Sequence, residues 1–307
     1  GTRIAGDLEV IEELARLADD DELELALYEP MRKHTTMMVG GPAQYWIEPL
    51  SSRAFAAAIG YCRERGIPIR VVGRGSNLLV RDGGIRGAVI HPVKGEFAAV
   101  SVAGDRITAG AGVRLKRLAS AAAAAGIGGF EWMEGIPGNV GGSLRMNAGA
   151  MGVEAFDQVV ELTLLDESGA IVTKGRDEIE AQYRNVPELR RNFVLRAVFR
   201  GSPEDREALR RRTGEMQGKR RESQPQAASA GCVFKNPEPV PAGKLVDELG
   251  LKGVAVGGAR VSLEHGNFIV NKGDASAADV MALIEKIRRE ARQARGIELE
   301  TEVKILG

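Results

Sequence analysis

Glycine is concentrated in two loops of this chain, and these loops restrict the possible folds more than any other feature of the sequence. The first is V-V-G-R-G-S-N-L-L-V, Val71–Val80, which leaves an apolar strand. The second, Gly135–Gly152, contains six glycines. Glycine lets the backbone turn tightly and approach a flat or charged ligand closely. With 39 glycines that cluster rather than repeat, the chain does not suit a helical bundle.

Composition is that of an ordinary globular protein, because 44% of the residues are apolar and 27% are charged. A chain of 307 residues suits two domains or one large composite unit. The 42 basic residues balance the 42 acidic ones, so no long-range field gathers nucleic acid, and we expect no such partner. Cys62 and Cys232 are far apart in the sequence, which excludes a disulfide scaffold and favours a reducing compartment.

No targeting or metal-binding pattern is visible. The first residues lack the layout of a signal peptide, and the weakly polar run Ala119–Ile127 is far too short to cross a bilayer. The three histidines, His34, His91 and His265, have no metal-ligand spacing, so we expect no metal site. The sequence therefore predicts a cytoplasmic protein without membrane association, which we expect to act as a monomer.

Apolar spacing predicts alternating helices and strands. An opening helix would be capped by Asp7 and ended by the acidic run Asp19–Glu24. Ser202, Pro203 and Asp205 predict the start of an arginine-rich helix. Further predicted elements are helices from Ser52, from Val113 to Ala125, from Ala242 to Leu249 and from Ser276, and a terminal strand from Leu299 to Leu306.

The first glycine loop can form an anion site. It presents successive backbone amides that can form a concave nest of donors for a pyrophosphate, at Gly73, Arg74, Gly75, Ser76 and Asn77. It does not match G-x-G-x-x-G and no clear helix follows it, so a Rossmann interpretation is weak. Each loop alone could equally be a set of tight turns. Two such loops around one β-α unit favour a dinucleotide held along its length.

The segment S-A-G-C-V-F-K-N-P, Ser229–Pro237, is a candidate site for proton transfer. Small residues on both sides leave Cys232 sterically open, and a thiol with a pKa near 8.5 donates a proton far more readily than a serine hydroxyl. The alternative is a small buried hydrophobe, which is the usual state of a free cysteine. Lys235 and Asn236 could bind a phosphate or a sugar.

Two further segments carry side chains suited to a carboxylate or an enolate. In Y-R-N, Tyr183–Asn185, the Arg184 guanidinium could bind such a group, although an ordinary surface arginine is the commoner alternative. In the terminal L-E-T-E-V-K-I-L-G, Glu300 and Glu302 would share one face of the strand, and Glu302 suits acid–base work. A solvated edge carboxylate is favoured for Glu300. Arg220 or Arg221, at the end of the arginine-rich helix, could line an anion pocket, whereas the rest of that helix is expected to be a solvated face.

Taken in order, these segments resemble the bacterial UDP-N-acetylenolpyruvoylglucosamine reductase family. The resemblance covers nearly the whole chain and rests on G-R-G-S-N-L-L-V, G-I-P-G-N-V-G-G-S-L-R-M-N-A-G-A-M-G, Y-R-N, A-G-C-V-F-K-N-P, L-V-D-E-L-G-L-K-G and H-G-N-F-I-V-N. It also includes K-H-T-T-M-M-V-G-G-P-A near the start and the terminal L-E-T-E-V-K-I-L-G.

The resemblance implies an α+β fold. Its parts would be a two-part FAD-binding region of the vanillyl-alcohol-oxidase (PCMH) type and a C-terminal α+β substrate-binding domain. The expected ranges are 1–96 for the opening helix with the first FAD-binding subdomain, 97–203 for the second, joined by the terminal strand 299–307, and 204–298 for the substrate domain. The implied cofactor contacts are Gly73, Arg74, Gly75, Ser76, Asn77, Leu78, Ile136, Pro137, Gly138, Gly141, Gly142, Ser143, Asn147, Ala148 and Gly149. FAD would be non-covalent, because the first loop lacks the His or Cys that some relatives attach to flavin.

The implied reaction is the NADPH-dependent reduction of the enolpyruvyl ether of UDP-N-acetylglucosamine to UDP-N-acetylmuramate, for peptidoglycan synthesis. Hydride would pass through flavin N5 to C3, and Cys232 would deliver the proton to C2 where many members have serine. Arg184 and Glu302 would stabilise the enolate, the latter only if protonated or part of a polarised network. The implied substrate contacts are Tyr183, Arg221, Lys235 and Asn236. The short span from Tyr183 to Phe193 resembles the form of the family without an added lid loop.

Two other interpretations remain open from the residues alone. One is a flavin-dependent alcohol or sugar oxidase on the same FAD fold, which would use oxygen as its acceptor. The other is a non-catalytic protein that binds a UDP-sugar or a flavin. The sequence also leaves open whether NADPH or NADH is preferred.

Overall fold

The computed structural model describes residues 2–18 and 22–307. Eight α-helices lie in these residues: α1 (Thr2–Leu17), α2 (Ser52–Glu64), α3 (Leu115–Ala124), α4 (Val140–Arg145), α5 (Ala155–Gln158), α6 (Arg206–Ser223), α7 (Ala242–Glu248) and α8 (Ala277–Arg295). None of these helices combines the length and the apolar character that crossing a bilayer requires.

Strands in the same residues number nineteen. They are β1 (Leu23–Pro30), β2 (Pro42–Pro49), β3 (Ile69–Val71), β4 (Leu78–Val80), β5 (Ile85–Ile90), β6 (Val100–Ala103), β7 (Arg106–Gly110), β8 (Ile127–Gly128), β9 (Gly149–Ala150), β10 (Val153–Glu154), β11 (Val159–Leu165), β12 (Ile171–Gly175), β13 (Phe193–Arg200), β14 (Ser202–Pro203), β15 (Ser229–Cys232), β16 (Ala255–Val256), β17 (Ala259–Val261), β18 (Phe268–Asn271) and β19 (Lys304–Leu306).

The chain folds into two compact units. The first contains the described residues up to Leu27 together with Tyr45–Gly73 and Gly87–Gly218. Its sheets have the orders β1-β2-β5-β3 and β12-β11-β13-β7-β6, and the second of these is antiparallel throughout. Helix α2 begins after Ser51, whose side chain accepts a hydrogen bond from the amide of Ala54 at 3.1 Å. That start agrees with the sequence prediction.

The second unit is assembled from three separate stretches, Tyr28–Gln44, Arg74–Arg86 and Lys219–Gly307. It contains the antiparallel sheet β15-β18-β17-β16 and the helix α8. The predicted cap of α8 is confirmed, because Ser276 and Asp279 form a reciprocal capping box. The predicted apolar face is confirmed as well, since four of its side chains are buried: Val280, Leu283, Ile284 and Ile287.

The terminal strand is shorter than predicted and lies beside a different partner. Only Lys304–Leu306 form a strand, which pairs in parallel with β4. The sequence analysis expected it beside the second FAD-binding subdomain, whereas β4 follows the first glycine loop. Alternation of apolar residues shows that a segment joins a sheet, but it does not specify which strand the segment joins.

Two predicted helix starts are wrong. Asp7 does not cap α1, which begins at Thr2; Asp7 is buried within it and accepts a hydrogen bond from the Tyr45 hydroxyl at 2.8 Å. Ser202 and Pro203 form a short strand instead of opening α6. Asp205 takes the capping position, since its side chain accepts from the amide of Ala208 at 3.0 Å. Of the acidic run Asp19–Glu24, the first three residues lie outside the described part.

Candidate active site

The first glycine loop has free amide donors in the second unit. Within residues 2–18 and 22–307, the amides of Arg74, Gly75, Ser76 and Asn77 donate to no protein acceptor. Gly75 has a φ of +67°, and a Cβ there would lie 2.3 Å from the carbonyl oxygen of His34, so only glycine fits. Four consecutive amides without a protein acceptor are an anion nest of the kind that binds a pyrophosphate.

Thr36 holds this loop within the second unit. Its amide donates to the carbonyl oxygen of Gly75 at 3.2 Å, and its hydroxyl donates to the carbonyl oxygen of Ser229 at 2.7 Å. Ser229 begins β15, the strand that carries Cys232. One threonine therefore bonds both to the anion nest and to the strand of the candidate proton donor. The sequence analysis did not identify Thr36, since a threonine in a polar loop has no distinctive spacing.

The second glycine loop, in the first unit, is a short helix rather than only turns. Asn139 caps α4 by accepting from the amide of Gly142 at 3.2 Å, and the hydroxyl of Ser143 donates to the Asn139 carbonyl at 2.7 Å. A Cβ on Gly73 would lie 2.5 Å from the Asn139 side chain. Gly73 therefore permits the close approach of these two loop segments within the first unit.

Several predicted cofactor contacts in this loop use their backbone groups for the fold itself. The amide of Gly141 donates to the carbonyl oxygen of Ala111 at 2.9 Å, and the amide of Ala148 donates to that of Ser143 at 2.8 Å. The carbonyl of Gly138 accepts from the amide of Leu115 at 3.1 Å. These residues can shape a wall for a ligand, but their bonded backbone groups are not available to bind it.

Arg184 lies in a strained turn of the first unit. The backbones of Gln182 and Asn185 hydrogen-bond to each other in both directions, and Arg184 between them has a φ of +53°. A non-glycine residue in this region costs about 1–3 kcal/mol and is held there by its surroundings. Its guanidinium donates to the carbonyl oxygens of Asn147 at 3.4 Å and Gly149 at 3.2 Å.

Asn147 fixes this turn against the second glycine loop. Its buried side-chain amide donates to the carbonyl oxygen of Gln182 at 3.0 Å and to the Glu154 carboxylate at 2.9 Å. Its side-chain oxygen accepts from the amide of Phe156 at 3.2 Å. The sequence analysis assigned Asn147 to the cofactor, whereas the structure shows its side chain bonded to the protein. The Arg184 turn is therefore rigidly placed.

Cys232 lies in the second unit at the end of β15, opposite Phe268 of β18, and is exposed. Burial by the surrounding protein, and then the Glu302 carboxylate, raise the pKa of its thiol above the ordinary value. A hydrogen bond with the Asn267 side chain acts on the pKa in the opposite direction. A raised thiol pKa keeps the proton on sulphur at neutral pH, as a proton donor requires. Cys62, in contrast, is completely buried on α2.

Glu302 is held against the Cys232 segment. Its amide donates to the carbonyl oxygen of Val233 at 2.7 Å, and its own carbonyl oxygen accepts from the Asn77 side chain at 3.3 Å. The Asn77 carbonyl accepts in turn from the amide of Lys304 at 2.9 Å. Residues 299–303 therefore do not form the predicted strand. They bond instead to the 233–235 segment and to the anion nest.

The predicted substrate contacts have different surroundings. Tyr183 is 77% exposed, with the Arg184 guanidinium 5.2 Å from its ring centroid. Lys235 forms an exposed ion pair with Glu300 at 3.6 Å. The Asn236 side chain accepts from the amide of Ala242 at 3.0 Å and so supports the start of α7. The last predicted contact, Arg221, lies exposed in the final turn of α6.

The structure thus brings Cys232 and Glu302 together in the second unit, beside the anion nest of Arg74 to Asn77. Arg184 is fixed separately within the first unit. The predicted short span after Tyr183 is confirmed, since only the 3-10 turn Pro187–Arg190 precedes β13. Within residues 2–18 and 22–307, no group of three or more His, Cys, Asp or Glu side chains could hold a metal ion.

Comparison with known families identifies both parts of the chain. A family model described as "FAD binding domain" matches residues 43–175. A second, described as "UDP-N-acetylenolpyruvoylglucosamine reductase, C-terminal domain", matches residues 224–306. The anion nest falls within the first match, and both Cys232 and Glu302 fall within the second.

Curated relatives match over almost the full length. The UDP-N-acetylenolpyruvoylglucosamine reductase of Agathobacter rectalis is 44% identical over 300 residues, which cover 93% of this chain and 95% of the relative. The chain belongs to the UDP-N-acetylenolpyruvoylglucosamine reductase family. The reductase of Clostridium novyi is 37% identical over 302 residues, with 98% of this chain and 97% of the relative covered.

A solved structure supports the same family. The crystal structure of the reductase from Thermus caldophilus has a TM-score of 0.79 and 37% identity, and the match covers 93% of this chain and 99% of that one. A Phl p 4 variant described as a glucose oxidase is 17% identical with a TM-score of 0.50, over 64% of this chain and 44% of that one. That likeness concerns the fold alone. The predicted combination of a FAD-binding region with the family's C-terminal domain is confirmed.

Proposed function

We propose that this chain reduces the enolpyruvyl ether of UDP-N-acetylglucosamine to UDP-N-acetylmuramate, with NADPH as the reductant and FAD as the cofactor, in peptidoglycan precursor synthesis. The observation that carries the proposal is the 2.7 Å backbone hydrogen bond that holds Glu302 against Val233, the residue directly after the candidate proton donor Cys232, in the second unit. Both residues lie on segments hydrogen-bonded to the anion nest or to each other.

The donor set of this chain fits FAD. The amides of Arg74 to Asn77 are suited to its pyrophosphate, and no His or Cys in this loop could attach the flavin covalently. When bound, FAD would supply the redox chemistry, namely the hydride from NADPH that carbon C3 of the enolpyruvyl group receives. The rest of the reaction requires charge stabilisation and one proton, which the chain's own side chains can supply.

Arg184 would stabilise the negative charge that develops on the substrate carboxylate. A guanidinium has five N–H donors, and its two backbone bonds, to Asn147 and Gly149, occupy part of that set. The turn fixes the arginine before substrate arrives, so no ordering is needed during the reaction. Glu302 would support the same enolate as part of a polarised hydrogen-bond network.

Cys232 would deliver the proton to carbon C2. The S–H bond breaks, a C–H bond forms, and the electron pair stays on sulphur until solvent returns a proton. The elevated pKa of the thiol keeps this proton in place between turnovers. For substrate binding we propose Tyr183, Arg221, Lys235 and Asn236, whose positions at exposed or half-exposed sites support contact with a ligand.

We also propose the functional ranges expected from the sequence, with 1–96 and 97–203 for the cofactor and 204–298 for the substrate. The terminal segment 299–307 would return to the cofactor part, beside β4. We also propose a cytoplasmic monomer that acts on small molecules, and the balanced charge supports the absence of a nucleic-acid partner. Light scattering on the purified protein tests the monomer directly.

The decisive experiment is anaerobic stopped-flow absorbance of the flavin. NADPH should bleach it, and enolpyruvyl-UDP-N-acetylglucosamine should then restore the oxidised spectrum. In Cys232→Ala the bleaching should remain while the recovery is lost, and Cys62→Ala is the matched control that should keep both steps. Recovery only with oxygen would favour an oxidase instead. A protein that cannot be reconstituted with FAD would exclude the proposal.

A further inference from the structure

Asn267 is a buried residue whose side chain holds the segment that follows Cys232. It is 3% exposed and directly precedes β18. Its side-chain oxygen accepts from the amide of Phe234 at 2.9 Å, and its side-chain nitrogen donates to the Phe234 carbonyl at 2.9 Å. Its backbone carbonyl also accepts from the amide of Val233 at 2.9 Å. Three hydrogen bonds from one residue thus fix the backbone next to the thiol.

The same side chain also acts on the charge state of the thiol. Asn267 directly precedes Phe268, the strand partner of Cys232, and its carboxamide lowers the thiol pKa, as an N–H donor that favours the thiolate does. The two influences that favour the neutral thiol are burial and the Glu302 carboxylate. Asn267 therefore favours negative charge on the sulphur, and the Glu302 carboxylate opposes it.

Other titratable groups near Cys232 and Asn267 interact with other partners. Lys235, three residues after the cysteine, pairs with Glu300. His265 accepts from the amide of Asn267 at 3.1 Å, and burial followed by the Lys252 charge lowers the pKa of its imidazole. Glu302 is therefore the charged group that acts on the sulphur.

We propose that Asn267 is a positioning residue for the proton donor, which places Cys232 through the Phe234 backbone and donates a hydrogen bond to sulphur as the thiolate forms. The inference rests on the proposed function, in which the S–H bond breaks and the electron pair remains on sulphur. A thiolate that forms near a carboxylate, where the surrounding protein desolvates the sulphur, is costly without a donor. Asn267 supplies that donor, and Glu302 keeps the thiol protonated before the transfer.

The test is the pH dependence of Cys232 alkylation by iodoacetamide in the holoenzyme, which needs no turnover. In Asn267→Ala the profile should move to higher pH, with alkylation at a fixed pH below the midpoint slower by about 3- to 10-fold. Glu302→Gln should move the profile to lower pH. Asn271→Ala is the matched control: it removes another buried asparagine, bonded to the Met37 carbonyl at 2.9 Å, and should leave the profile unchanged.

Unchanged alkylation in Asn267→Ala, or an equal shift in Asn271→Ala, would overturn the proposal. If circular dichroism shows that Asn267→Ala does not fold, the Asn267→Asp variant tests the proposal in its place. That variant keeps an acceptor for the Phe234 amide, loses the donor, and should shift the profile upward at least as far. In stopped flow, Asn267 variants should slow flavin reoxidation by substrate and leave reduction by NADPH unchanged. Absent reoxidation in the parent enzyme would refute the proposed function, while the alkylation result would still decide the role of Asn267.

Discussion

Asn147 is a position where a single substitution should have a large effect on the free energy of unfolding, and this effect can be calculated from its contacts. Its side chain makes two neutral hydrogen bonds and one to the Glu154 carboxylate, and its φ is +44°. Neutral bonds contribute about 1 kcal/mol each and a charged one about 1.5–3. Alanine in the left-handed region costs about 1 kcal/mol more than asparagine, which tolerates it. Asn147→Ala should therefore lower the free energy of unfolding by about 4.5–6 kcal/mol.

The matched variant is Asn147→Gly, which loses the same hydrogen bonds. Glycine carries no left-handed penalty of about 1–2 kcal/mol, but it loses roughly 0.5–1 kcal/mol more in backbone entropy. We therefore expect Asn147→Gly to be more stable than Asn147→Ala by about 0.5–1 kcal/mol. At most positions in a protein, the alanine variant is more stable than the glycine variant.

Urea unfolding, followed by circular dichroism, measures both the stability lost in Asn147→Ala and the difference in stability between the alanine and glycine variants. FAD must be removed or held at one saturating concentration, because bound cofactor raises the apparent stability. Equal or greater stability of Asn147→Ala would show that residue 147 is not held in the left-handed region. A total loss below about 2 kcal/mol would show that the three hydrogen bonds contribute less than their geometry implies.

Substitutions at three further positions test other parts of the fold. Asp82 accepts hydrogen bonds from the first two amides of α8 at 2.8 and 3.0 Å, so Asp82→Ala should lower stability in urea by about 1–2 kcal/mol and Asp82→Asn by roughly half that. Burial raises the pKa of the Cys62 thiol to about 11. The folded state thus holds this proton more tightly, and unfolding free energy should fall as pH rises from about 8.5 to 11. Cys62→Ala should flatten that slope; an unchanged slope would assign it to other groups. Tyr45→Phe removes the hydrogen bond to the buried Asp7 side chain and should cost about 1–3 kcal/mol by urea titration, whereas no loss would show that this hydrogen bond does not stabilise the fold.

Local signals in the sequence predicted the elements that depend on local interactions. The α8 capping box and its apolar face follow from neighbouring residues, and both are confirmed. Asp7 was misassigned because the apolar spacing begins after it, whereas the carboxylate bonds to Tyr45, far along the chain. Ser202 carries every feature of a helix cap, yet its strand pairing with Gly128 takes precedence. Each error arises from a contact distant in sequence.

In the candidate site, too, the features that the sequence did not reveal depend on contacts between residues distant in sequence. The sequence identified Cys232 and Glu302 through motifs, and the structure places them together. Asn267 was not assigned a role, since its value lies in bonds to Phe234 and to sulphur rather than in any pattern of its own. Thr36 was not identified either, because its role lies in its hydrogen bonds to the carbonyl oxygens of Gly75 and Ser229. Residues that position others leave little trace in a single sequence.

The pairing of β19 with β4 has a consequence for how the protein is made. A ribosome releases residue 78 long before residue 304, and these two positions are partners in the strand pair. The second unit, with its anion nest, therefore cannot be completed until residues 304–306 have been synthesised. The first unit ends at Gly218 and can fold earlier. A nascent chain should therefore acquire the ability to bind cofactor only after β19 has emerged, and deletion of β19 should abolish it.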